Sequence, residues 1–137
     1  MVARFIDSNV FLRYFTKDDP VKAQRCFELF QRVKTGTEEV TTSESVIAEV
    51  VYVLSSPRLY GLRRDEIRQL LLPMLTLRGM RLSNRRTYLR ALELYATYNI
   101  DFEDALTVAH IERGELRSIL SYDRDFDQIP TVVRDEP

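Results

Sequence analysis

Four carboxylates stand in this sequence where an acid is conspicuous. Asp7 directly follows the apolar run Val2 to Ile6, and Asp123 directly follows Ser118 to Tyr122. Glu49 interrupts Ile47-Ala48-Glu49-Val50-Val51, where a charge is costly unless it is paired or metal-bound. Asp104 precedes Ala105-Leu106-Thr107-Val108-Ala109. No lysine or arginine is adjacent in sequence to Asp7, Glu49 or Asp104, and Arg124 flanks only Asp123. Gathered at one place, four such groups repel each other and raise each other's pKa unless a cation joins them. A hard divalent ion takes oxygen ligands of this kind. It also acidifies bound water and neutralises phosphate charge, and two such ions ~4 Å apart clamp an in-line displacement at phosphorus. Each acid alone has a plainer reading. Asp7 and Asp123 can be strand-ending turn residues. Glu49 can be the solvent-facing residue of a mostly buried helix. Asp104 can complete a helix start with Asp101, for which capping is the first reading.

The elements that must position these groups alternate between strand and helix. Val2 to Ile6, Glu39 to Thr42, Met80 to Leu82, Ser118 to Tyr122 and Val132-Val133 read as short strands. Val10 to Phe15 reads as a short helix. Asp19 and Pro20 open a second, with Ala23, Cys26, Phe27, Phe30 and Val33 at helical spacing and Gly36 at its end. Ser43 caps a helix carrying Val46, Ile47, Val50, Val51, Val53 and Leu54. Another starts near Asp65 and should be kinked by Pro73. Tyr88, Leu92, Tyr95 and Tyr98 mark a further helix, and Asp101 caps the last, which Gly114 follows. This alternation predicts an α/β domain with a central, mostly parallel sheet. In such a sheet the ligand crevice lies outside the carboxyl ends of the strands, where Asp7 and Asp123 fall.

Composition bounds the rest. The chain has 137 residues, 45% hydrophobic and 30% charged, the balance of one globular domain. With only four glycines and five prolines it carries no linker or repeat, so residues 1–137 read as a single domain. Cys26 is the one cysteine, which excludes an intrachain disulfide and a zinc cluster. No apolar run reaches the ~20 residues of a membrane span, and Asp7 comes too early for a signal peptide. A cytoplasmic protein without membrane attachment is expected. The net charge is −1 and the pI near 5.9, against a pI above ~9 for domains that hold nucleic acid by raw charge. Phosphates would have to be drawn by a bound metal.

Four stretches resemble one family, the PIN-domain nucleases. Phe5-Ile6-Asp7-Ser8-Asn9-Val10-Phe11-Leu12-Arg13-Tyr14 is similar to that family's opening strand and first acidic motif. Ser43 to Leu54 resembles the helix with the second acid, Glu49. Asp101-Phe102-Glu103-Asp104-Ala105-Leu106 resembles the third motif, with Asp104 in the metal-binding place. Leu120-Ser121-Tyr122-Asp123-Arg124-Asp125-Phe126-Asp127 resembles the fourth, with Asp123 as its acid and Ser121 as its small hydroxyl residue. The resemblance covers nearly the whole chain. It implies a three-layer α/β/α domain around a sheet of four to five strands. It implies Mg²⁺ or Mn²⁺ held by Asp7, Asp104 and Asp123, and Glu49 orienting or deprotonating the attacking water. Asn9, Ser121, Asp101 and Arg13 would support them. The compact length is similar to VapC-type toxins of toxin–antitoxin pairs, which implies a homodimeric endoribonuclease silenced by an antitoxin protein, with RNA as substrate.

Other signals carry less. Seventeen of the twenty basic residues are arginine, which suits phosphate recognition. Arg85, Arg86 and Arg90 nevertheless read first as a solvated helix face. His110 is the only histidine and has no nucleophile motif beside it. Asp125 and Asp127 read as turn and cap residues. Rival readings are a PIN nuclease of RNA processing and a non-catalytic PIN-fold module that binds RNA or protein. A haloacid-dehalogenase-like phosphatase wants a second aspartate where Asn9 stands, and a receiver-like domain wants an acidic neighbour beside Asp7.

Overall fold

Local capping chemistry sets most of the helix starts in the computed structural model of the chain, which describes residues 2–137. In chain order the elements are β1 (Arg4–Phe5), α1 (Ser8–Thr16), α2 (Pro20–Thr35), β2 (Val40–Thr41), α3 (Glu44–Ser55), α4 (Arg64–Leu75), α5 (Arg85–Thr97), α6 (Phe102–Arg113), β3 (Ser118–Leu120), a 3₁₀ helix (Arg124–Gln128) and β4 (Val133–Asp135). Asp19 caps α2 by accepting from the Lys22 N–H at 3.1 Å, and Ser43 caps α3 by accepting from Val46 N–H at 3.3 Å. Each satisfies one N–H that the first turn leaves without a helical partner. Gly36 ends α2 in the left-handed region at φ 82°, which glycine enters without a Cβ clash. Pro73 lies within α4, and the helix runs only two residues past it.

The chain divides into two compact units, one through Ser83 and the other Asn84–Pro137. In the first, β1 and β2 pair in parallel, Arg4 opposite Val40 and Phe5 opposite Thr41. Met80 adds one parallel bridge to Val40. Helix α1 packs against α2 and α3, and α3 against α4. Phe11, Ile47, Leu54, Ile67, Leu71 and Leu75 are almost wholly buried here. Each such side chain is worth ~1.5–3 kcal/mol of transfer free energy. Phe11, Tyr14, Phe27 and Phe30 form an aromatic cluster between α1 and α2.

In the second unit β3 and β4 pair in parallel, with Ser118 opposite Val133 and Leu120 opposite Asp135. Helices α5 and α6 pack together, with the Tyr95 and Phe102 rings in edge contact, and Leu92, Ala105, Val108 and Ala109 are buried on them. An Arg90 fork closes on Glu112 across them, Nε to Oε1 at 2.7 Å and Nη2 to Oε2 at 3.0 Å.

All five expected strand segments pair, and all pair in parallel. They do so as two two-stranded sheets and one bridge, so a single sheet of four to five strands inside three layers is not what the hydrogen bonding draws. The strands are short for a local reason. Asp7 opens α1 one residue after Ile6, and Ser43 opens α3 two residues after Thr41, so capping takes the backbone out of the ladder. No helix among the described residues is long and apolar enough to cross a membrane.

Candidate metal centre

The acids of the second unit converge. One carboxylate oxygen from each of Asp104, Asp123 and Asp125 lies within 4.8 Å of the others. Asp104 is placed by the first turn of α6, whose cap is Asp101: the Asp101 Oδ1 accepts from the Asp104 N–H at 2.8 Å. Asp123 is placed by the end of β3. Ser121 N–H donates to the Asp135 carbonyl at 2.9 Å, and the Ser121 Oγ accepts from the Asp123 N–H at 3.0 Å. Asp123 then caps the 3₁₀ helix, its Oδ1 accepting from the Asp125 N–H at 2.9 Å. That tight turn returns the Asp125 carboxylate to the same place.

The electrostatics match the crowding. Asp104 is half-buried and its pKa is pushed up to about 6. Desolvation is the largest cause, followed by the charges of Asp101, Asp123 and Asp125 and a hydrogen bond to Asp101. Among the described residues no arginine or lysine forms an ion pair with Asp104, Asp123 or Asp125. Three carboxylates with no cationic partner form a donor set for a hard divalent cation and for no soft one. Oxygens on opposite sides of one Mg²⁺ stand ~4 Å apart, so small side-chain rotations would close this cluster on an ion.

The remaining candidates lie in the first unit. Asp7 follows β1 and caps α1, its Oδ1 accepting from the Ser8 N–H at 2.8 Å. The residue before it is held at both of its backbone groups, because Ile6 N–H donates to the Thr41 carbonyl at 2.8 Å and the buried Thr42 hydroxyl donates to the Ile6 carbonyl at 3.0 Å. Asp7 thus emerges at the carboxyl end of the parallel pair, as the crevice rule expects. Glu49 sits in the second turn of α3 on its exposed side, between the buried Ile47 and Val50. Its cost in an apolar run is therefore small, and the plainer reading describes its surroundings. Asn9 is exposed in the first turn of α1. Arg13 is half-buried, and its positive field falls on Asp19, Cys26 and Tyr60.

Asp125, expected as a turn residue, lies in the first turn of the 3₁₀ helix, and that turn delivers it to the acidic group. The signal was available in the Asp123-Arg124-Asp125 spacing: an aspartate that caps the residue two positions on folds that residue back beside itself. Asp127 instead pairs with Arg134, Nε to Oδ1 at 2.9 Å. Arg90 is engaged with Glu112 and Glu93. Tyr88 and Tyr95 are buried in the core, so neither offers a face for base stacking.

Comparison with curated proteins finds no match. The pattern of the family described as PIN domain matches residues 4–132, a span that takes in every acidic motif above, and on that match the chain belongs to the PIN domain family.

Proposed function

We propose that this chain is a Mg²⁺- or Mn²⁺-dependent endoribonuclease that hydrolyses phosphodiester bonds. The observation that carries the reading is the uncompensated carboxylate group Asp104, Asp123 and Asp125 in a member of a family whose domains are generally metal-dependent nucleases. Asp104, Asp123 and Asp125 would present oxygens to the ion. When bound, the ion supplies neutralisation of phosphate charge and a more acidic water. Ser121 fixes the Asp123 backbone through its Oγ, and Asp101 holds the Asp104 N–H. Both orient the ligands before any ion arrives. On the family resemblance, Asp7 is proposed as a further ligand. Glu49 is proposed to orient the attacking water and to accept its proton at a carboxylate oxygen. Asn9 and Arg13 are proposed to support substrate at the Asp7 end. Residues 1–137 are taken to act as one domain.

Within the family, the resemblance to VapC-type toxins favours the toxin of a toxin–antitoxin pair, working in the cytoplasm as a homodimer and silenced by a protein antitoxin. Purified protein should cut RNA with Mg²⁺ or Mn²⁺ and stop in EDTA. Asp7→Asn should keep the wild-type circular dichroism spectrum and lose cleavage by about a hundredfold or more, beyond the range seen for outer-shell changes. Retained cleavage would remove Asp7 from the mechanism, and cleavage that persists in EDTA would remove the metal. A small neighbouring gene for a DNA-binding antitoxin supports the toxin role; a solitary gene favours RNA processing.

A further inference from the structure

Arg134, on β4, lies outside the matched family span and outside all four acidic motifs. Its side chain is only 12% exposed. Its guanidinium reaches both ends of the segment that carries Asp123 and Asp125. Nη1 donates to the Ser121 carbonyl at 3.0 Å, just before Asp123. Nε and Nη2 donate to Asp127 Oδ1 at 2.9 Å and Oδ2 at 3.4 Å, just after Asp125. Nη1 also approaches Glu136 Oε2 at 3.5 Å. One rigid fork therefore ties the entry and the exit of a loop only a few residues long. The strand pairing adds to this at the same place, since Ser121 N–H donates to the Asp135 carbonyl.

We infer that Arg134 is a positioning residue that holds the Ser121–Asp127 loop in the conformation that presents Asp123 and Asp125 to a divalent cation. The inference rests on the metal reading given under Proposed function. It makes a prediction opposite in sign to simple electrostatics. Deleting a positive charge near a cation site should tighten cation binding by Coulomb's law. Deleting a clamp should weaken it, as loss of an outer-shell partner does, by ~10–100-fold. Lysine keeps the charge but cannot make the planar two-ended contact. Its affinity should fall between those of the wild type and alanine.

The test is Mn²⁺ titration calorimetry on the full chain, wild type against Arg134→Ala and Arg134→Lys, with amide hydrogen exchange over residues 121–127. The inference expects weaker Mn²⁺ binding in the order wild type, lysine, alanine, and faster exchange at the Asp123 and Asp125 amides in metal-free protein. Unchanged or tighter Mn²⁺ binding by a folded alanine variant overturns it. If alanine does not fold, lysine decides, and a wild-type affinity in Arg134→Lys overturns it equally. A wild-type protein that binds no Mn²⁺ overturns the metal reading itself, and this inference falls with it.

Discussion

At the scale of single residues, Asp104, Asp123 and Asp125 concentrate negative charge with no ion-pair partner among the described residues, and Asp104 registers it. Its carboxyl titrates near 3.8 in an unfolded chain and at about 6 in the folded one. The folded state thus holds this proton more tightly. Stability from the group is fully present below 3.8 and is lost as the pH rises through about 6. Metal-free protein should melt at a lower temperature at pH 7 than at pH 5, and Asp104→Asn should reduce that loss. Metal binding runs the other way, because the ligand must shed its proton. One unit below the pKa about a tenth of Asp104 is ionised, so Mn²⁺ affinity should be about tenfold weaker at pH 5 than at pH 7. Calorimetry at the two pH values measures this. A pH-independent affinity in that interval takes Asp104 out of the ligand set.

At the scale of elements, what the sequence made legible is what is local. Asp19, Ser43 and Asp101 were readable as caps because a cap needs only its own side chain and an amide two or three residues on. The apolar spacing of Ile47, Val50, Val51 and Leu54 found the buried side of α3 for the same reason. The pairing of strands was less legible, since two- and three-residue strands leave almost no alternating pattern to read. The role of Asp125 is legible only in part, since the spacing marks a turn but the shape of that turn depends on one side-chain hydrogen bond. Gly79 was hidden altogether, because its reason is space. A Cβ there would clash with the Glu38 carbonyl oxygen and meet that of Val33 at 2.8 Å. Its own N–H donates to Val33, and its carbonyl accepts from Val40, the residue that bridges to Met80. Because the obstacles are backbone, Gly79→Ala must push the end of α2 and the start of β2 away. The cost expected from urea unfolding is ~1–3 kcal/mol, the range for forced overpacking. A change within ~0.5 kcal/mol, the usual range for surface substitutions, would show that this approach is not what holds the β2 edge.

At the scale of the whole molecule, a net charge of −1 gives no general attraction for a polyanion. Any affinity for RNA has to be made locally, and on the proposed function a bound cation would make it where the acids are. The same ion should feed back on folding, because a ligand that binds only the native state stabilises it by RT ln(1 + [L]/Kd), ~2.7 kcal/mol at a hundredfold excess over Kd. The candidate ligands of the second unit lie beyond Ser83, while Asp7 and Glu49 lie before it. Scanning calorimetry with and without Mn²⁺ therefore tests the reading of residues 1–137 as one domain. One domain gives one transition, and the metal moves all of it to higher temperature. In Asp104→Asn that upward shift should shrink to near zero while the transition stays single. Two transitions, of which Mn²⁺ moves only one, would mean that the two units fold independently and that Asp7 and Glu49 act without thermodynamic linkage to Asp104.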